Sequence, residues 1–460
     1  MIRSVAPPIG EMLPPAARQR GLFPLPDLFG PPVEKCLNSP HSRSSRLRLK
    51  RRLEEDRRAV EAVLALNELA GCGDEALGSG PQNAQQDLVK THVLSAVRDL
   101  AAFSTTMSPA EAFGELRGAS IYEEDPSGPV RDLDPVTVSL PEAGSRPVPL
   151  ATLYGDGGEQ FVQEFLTKAL AQTETVEAAL ERAPAAPYMD ENFRRQRPAY
   201  VAFLRRLIAC NMIELTAKAG REQVGVFGVA KKNGKVRMVI DCRRSNAWFV
   251  APPHVQLATG SSLSQLSVEP GQSFWVAGFD IRNAFYSFEL PAELRDYFCL
   301  PPATAGELGI SLLDGHPLDS EVLLYPRFRI LPMGWTHALW WCQLLHRRIL
   351  EHRAGFDSAR LVIDRGPPPA LTPWCYSVYV DNAIFIGTDR SEVDGAMRRA
   401  LAAVTAAGLP THEVSSACQE ADVLGWRFDG RRALIRAKPE RMKKLQLALE
   451  WGSVTAGGRH

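Results

Sequence analysis

The run Tyr376-Ser377-Val378-Tyr379-Val380-Asp381-Asn382-Ala383-Ile384-Phe385-Ile386-Gly387 constrains this chain more than any other stretch. Apolar and aromatic residues lead to an acidic tip, and a second apolar run follows at once. The pattern predicts a β-hairpin with a tight Asp381-Asn382 turn that carries a carboxylate. Turns favour Asp and Asn whatever their function, so the carboxylate gains meaning only with a partner. Phe274-Trp275-Val276-Ala277-Gly278-Phe279-Asp280 supplies one, a short apolar run that ends in Asp280 and continues as Ile281-Arg282-Asn283-Ala284-Phe285-Tyr286. Two carboxylates from strands distant in sequence, brought side by side, make the divalent-metal site that two-metal phosphoryl transfer requires. Hard oxygen donors select Mg2+ or Mn2+ over zinc.

Five blocks, in order, extend the pattern. Lys231-Lys232-Asn233-Gly234-Lys235-Val236-Arg237 runs on through Asp241-Cys242-Arg243-Arg244-Ser245-Asn246 as a basic hairpin. Phe279-Asp280 leads to Phe285-Tyr286. Leu331-Pro332-Met333-Gly334-Trp335 is a turn ahead of a helix-like run to His346. Tyr379-Val380-Asp381-Asn382 and Leu424-Gly425-Trp426 complete the set. Together they make the segment from about Pro198 to Lys444 resemble the fingers and palm of a reverse transcriptase of the retroelement type.

The resemblance implies an α+β right-hand polymerase fold: fingers and palm, with an antiparallel palm sheet backed by helices. A largely helical N-terminal region would precede it. The expected divisions are a disordered Pro-rich stretch at 1–42 and a helical, loop-rich region at 43–190. Fingers and palm follow at 191–445, then a truncated start of a thumb or connection, or a tail, at 446–460. Within 43–190, Val136–Leu140 reads as a possible short strand and Glu159–Arg182 as helical. Gly355–Pro373 reads as an exposed insertion. Arg390 to Ala407 reads as an amphipathic helix capped by Gly408.

The activity implied is RNA-directed DNA synthesis on a primed RNA or DNA template, with deoxynucleoside triphosphates as substrates. Asp280 and Asp381 would be the catalytic carboxylates, with Ile281 (through its carbonyl) and Asn382 completing the metal set. Lys231, Lys232 and Arg237 would meet the triphosphate, where arginine gives bidentate contacts and lysine a compact charge. Phe285 would stand against the sugar and leave a ribose 2′-OH neither room nor a partner. Tyr286, Met333 and Gly334 complete the nucleotide-binding group, and Leu424-Gly425-Trp426 would grip the primer. His412 can act as a general acid toward pyrophosphate, since imidazole titrates near neutrality. A histidine in a surface loop is the plainer reading. Asp241 and Arg243 can be a structural ion pair.

Asn382 departs from the family, which carries a second Asp there. An amide ligates through oxygen but brings no charge. This leaves open a catalytically weakened or inactive nucleic-acid-binding module. An RNA-dependent RNA polymerase is a further alternative, which Phe285 disfavours.

Composition sets outer bounds. Lys+Arg and Asp+Glu both number 53, so any attraction for nucleic acid depends on clustering, as in the run of basic residues from Arg43 to Arg58. The eight Cys contain no CxxC pair. That disfavours zinc and a disulfide framework and suits a reducing compartment, nucleus or cytoplasm. No stretch reads as a membrane span or a secretory signal.

Overall fold

The computed structural model describes residues 57–67, 84–103, 105, 107–112, 130–230, 236–269 and 271–456. They fall into two compact units, one within Ala119–Arg436 and the other drawn from Met1–Gly118 and Ala437–His460. The Pro-rich stretch 1–42, most of the basic run from Arg43, and Lys231 and Lys232 lie outside the described residues. In the smaller unit a helix at 57–67 meets helix Ala84–Ala102 through Ala59, Val63, Val89 and Val93. Helix Pro439–Ala456 also belongs to this unit. Among the described residues no helix is long and apolar enough to cross a membrane.

After short elements at Val130–Arg131, Val148–Pro149 and Leu150–Tyr154, the larger unit continues with α1 (Gly158–Ala169), α2 (Thr173–Arg182) and α3 (Arg197–Ala209), followed by β1 (Ile213–Thr216), β2 (Gly225–Ala230) and β3 (Val236–Asp241). Next come β4 (Trp275–Ile281), α4 (Ala284–Ser287), β5 (Leu323–Phe328) and α5 (Ala338–Arg348). The hairpin β6 (Cys375–Tyr379) and β7 (Asn382–Gly387) leads to α6 (Arg390–Ala406). The chain closes with β8 (Thr411–Cys418), β9 (Glu420–Val423), β10 (Trp426–Asp429) and β11 (Leu434–Ala437). Both α1 and α2 belong to the larger unit.

The central sheet is antiparallel with strand order β6-β7-β4-β8. Side chains alternate across it. Ala277, Phe279 and Ile281 of β4, with Ala383 and Phe385 of β7, join the main core, where α5 contributes Trp341 and Leu345 and α6 contributes Val393, Ala396 and Ala400. Val276 of β4, with Ile384 and Ile386 of β7, faces the other way onto a second cluster containing Leu263 and Phe428. Helices therefore back one face. On the opposite face the apolar cover stops short of the β4 end that carries Asp280.

Local sequence explains these limits. The Asp389 carboxylate caps α6 by accepting from the backbone N–H groups of Ser391 and Glu392, and Gly408 follows the helix at φ 81°, as predicted. Three expectations change. Val136–Leu140 is no strand: Val138 alone bridges to Val236, and Val136 is exposed. Gly355–Pro373 is not simply exposed, since Phe356, Leu361, Val362 and Leu371 are buried. Leu361 bridges Tyr376, and the Val362 N–H donates to the Tyr376 carbonyl at 2.8 Å, which covers the outer edge of β6. The helix after Trp335 starts only at Ala338.

Trp341 is fully buried, with its ring 4.9 Å from Phe165 and 5.9 Å from Phe161, both on α1. It locks α1 to α5. Trp341→Ala should lower unfolding free energy by about 3–5 kcal/mol in a denaturant titration; a loss below about 1 kcal/mol would contradict this packing.

Candidate active site

Register assembles the site. Asp280 on β4 is the Cα partner of Asn382 on β7 and of His412 on β8. Cα partners in adjacent strands point to the same face. A carboxylate therefore stands between an amide and an imidazole on the face away from α5 and α6. His412 Nε2 lies 3.7 Å from Asp280 Oδ1. The Ile281 N–H donates to the Asp381 carbonyl at 3.0 Å, which ties the hairpin tip to the end of β4. Asp280 and Asp381 are thus neighbours across the sheet. His412 is on a strand, not in a surface loop as its sequence context also allowed.

The tip differs from its predicted form. The turn residues are Val380 and Asp381, and Asn382 already begins β7. Val380 has φ 56° and Asp381 has no positive φ, the pattern of a type II′ turn. Glycine is the usual residue there, and a β-branched side chain in this region costs of order 1–3 kcal/mol. Two buried side chains of α5 hold it. Gln343 accepts from the Val380 N–H at 2.7 Å and donates to the Val378 carbonyl at 3.0 Å. His346 Nδ1 lies 2.9 Å from the Val380 carbonyl. A carbonyl only accepts, so Nδ1 carries the proton. Burial drives the His346 pKa down to about 4, and the imidazole is neutral at physiological pH. Gln343 and His346 were not singled out in the sequence, because polar residues inside an apolar helix look the same whether they serve a turn or merely pack.

Electrostatics favour a cation. Burial raises the Asp381 carboxyl above its ordinary range, while the Asn382 amide, 3.3 Å from Asp381 Oδ1, and the Arg237 and His412 charges pull it back. The balance stays unfavourable to the carboxylate. A buried, under-compensated acid beside a second acid fits a hard divalent ion, although in this structure the Asn382 amide nitrogen, not its oxygen, faces Asp381. Asp280, Asp381 and Asn382 are the side chains that would hold it. Ile281 contributes only backbone here, its side chain being buried.

The remaining predicted groups divide. Arg237, half-buried on β3, lies near enough to act on the Asp381 carboxyl. The Met333 carbonyl accepts from the Ile240 N–H at 3.0 Å. Gly334 has φ 131°, and a Cβ there would fall 2.1 Å from the Ile240 carbonyl oxygen, so only glycine allows this approach. Asn246 braces the same turn, donating to the Gly334 carbonyl and accepting from the Thr336 N–H, both at 3.0 Å. Phe285 is half-buried on α4. Tyr286 is a core residue, 6% exposed, with its hydroxyl donating to the Met238 carbonyl at 3.2 Å. Asp241 and Arg243 form a two-pronged ion pair at 2.8 and 2.7 Å, and Asp241 also accepts from the Tyr188 N–H. That pair is structural.

Leu424 and Gly425, at φ 51° and 75°, are the two turn residues of hairpin β9–β10, in which Val423 pairs with Trp426. Positive φ at both central positions marks a type I′ turn. The Trp426 ring lies against Gly260, where a Cβ would come within 2.3 Å of it.

No protein-family profile matches the chain, and no curated protein matches it. The solved structure of a foamy viral protease-reverse transcriptase in complex with double-stranded DNA is similar at a TM-score of 0.39 and 14% identity, covering 69% of this chain and 50% of that one. This chain therefore spans about half the length of that protein's chain. A likeness of that degree carries no functional argument.

The raised Asp381 carboxyl has a signed consequence. Below the ordinary aspartate pKa, about 3.9, the residue is protonated whether folded or unfolded and imposes no penalty. As pH rises through the raised folded value, ionisation costs the folded state stability. In chelator, Asp381→Asn should therefore melt higher than the native protein at pH 8, and the gap should close toward pH 4. A gap that widens on acidification would contradict the assigned burial.

Proposed function

We propose that the chain is a template-directed DNA polymerase of the reverse-transcriptase type, which joins a deoxynucleoside triphosphate to a primer 3′-OH. One observation carries the reading: Asp280 and Asp381 adjoin at the end of an antiparallel sheet whose opposite face is covered by helices. Nucleotidyl transfer needs little from a protein beyond positioning and charge compensation. Divalent ions bound at the two acids would favour ionisation of the attacking hydroxyl and balance charge on the leaving pyrophosphate.

The chain's own groups fit the remaining tasks. The Arg237 guanidinium, on β3 and near enough to act on the Asp381 carboxyl, would take the triphosphate in bidentate fashion. The aromatic face of Phe285 would exclude a 2′-OH and so favour deoxyribonucleotides over ribonucleotides. Met333 and Gly334, held by Asn246, offer backbone and a thioether to the base pair without the hydrogen bonds of a glutamine. The Leu424-Gly425-Trp426 turn would bear on the primer strand. Resemblance to the family supplies these roles, and Mg2+ or Mn2+ is the ion it implies. The amide at Asn382 favours a second reading, a weakened module that binds nucleic acid without extending it, because one fewer negative charge lowers affinity for a cation.

Primer extension on RNA and DNA templates tests the proposal. The native chain should extend with deoxyribonucleotides and not with ribonucleotides, and Asp280→Ala and Asp381→Ala should each abolish extension. Asn382→Asp should raise the rate about tenfold, equivalent to about 1.4 kcal/mol of transition-state stabilisation, and lower the Mg2+ concentration required. If neither the native chain nor Asn382→Asp extends a primer with Mg2+ or Mn2+ while nucleic acid still binds, the weakened-module reading holds. Equal use of ribonucleotides would favour an RNA polymerase.

A further inference from the structure

His412 is the least expected member of the site. It sits in the row Asn382–Asp280–His412, on the side of Asp280 opposite the amide. Two donors each about 2.1 Å from one ion lie at most about 4.2 Å apart. Asp280 Oδ1 and His412 Nε2, at 3.7 Å, fall within that span. The other ring nitrogen, Nδ1, lies 3.7 Å from Glu413 Oε1. That separation is longer than a hydrogen bond, so it is Nε2, the nitrogen turned to Asp280, that is placed for the ion. Glu413 has φ 52°, and the pairing of β8 with β4 shifts register between His412 and Ser415. Bulges re-aim side chains in this way.

Resting on the polymerase reading above, we propose that His412 Nε2 is a direct ligand of the divalent ion held by Asp280, and that it makes the site prefer Mn2+ to Mg2+. The amide at 382 weakens the oxygen set on one side of Asp280, and the imidazole adds a stronger neutral donor on the other. Mg2+ keeps to oxygen ligands, whereas later divalent ions accept imidazole nitrogen more readily. Among the described residues no three His, Cys, Asp or Glu side chains form a ready-made cage. The shell would be completed by the Asn382 amide oxygen, water or substrate phosphate, as is usual where carboxylates and substrate share an ion. A histidine whose Nε2 lone pair is engaged in this way is not the proton donor to pyrophosphate.

The test is Mn2+ alone, added to the metal-stripped full chain and followed by pulsed electron paramagnetic resonance and by equilibrium titration. The native protein should show 14N coupling from a directly bound imidazole, and His412→Ala should lose it. Mn2+ affinity should fall about tenfold in that variant, and Mg2+ affinity by less than about threefold, so that the preference between the ions narrows. The native spectrum needs no variant to fold. Mn2+ that binds in an Asp280- and Asp381-dependent manner without 14N coupling would overturn the His412 assignment and leave the polymerase reading standing. A coupling that survives His412→Ala would overturn it equally, because the nitrogen is then another residue's. Mn2+ binding indifferent to Asp280→Asn and Asp381→Asn would overturn both.

Discussion

The site depends on one piece of backbone pairing: β4 against β7, closed at its end by the bond from the Ile281 N–H to the Asp381 carbonyl. Side chains on a strand alternate, so a slip of one residue would turn Asp280 toward Trp341 and the helices. The apolar residues on both sides of the sheet oppose such a slip. Phe279 and Phe385 fill the core under α5 and α6, and Val276 and Ile384 fill the smaller cluster. Each set fits only one register. Packing on both faces thus fixes the position of the Asp280 carboxylate.

The hairpin tip shows what that placement costs and what offsets it. A valine at positive φ and an acid whose charged form is disfavoured by burial both weigh against the fold. Gln343 and His346 answer by taking up both backbone groups of Val380 from below. Satisfied buried polar groups specify one geometry and tolerate few others. Strain of this kind gathers where a chain must hold a functional group in a set position. A cation between the acids would relieve the electrostatic part and leave the backbone part unchanged.

Much of this was legible in the sequence, for physical reasons. The β6–β7 hairpin and the β4 strand were visible because apolar runs ended in an acid, and the end of α6 because Gly408 followed an amphipathic run. The exact turn was not, since Asp and Asn attract a turn prediction that here belongs to Val380, a residue with little turn tendency. Strand β8 was hidden because its exposed Glu413, Val414, Ser415 and Ser416 show no alternation, which a bulged strand need not keep. The burial of Tyr286 was not legible because adjacent aromatics look alike in sequence, while the short α4 helix sends one to the core and leaves the other half-exposed. The buried residues of 355–373 were missed because prolines and charges among them read as loop.

The central claim is that Asp280 and Asp381 share a divalent ion, and anomalous diffraction from crystals of the full chain grown with Mn2+ tests it most directly. The account predicts an anomalous peak within coordination distance of a carboxylate oxygen from each of the two aspartates. A peak elsewhere with none between them, or carboxylates found on opposite faces of the sheet, would contradict it.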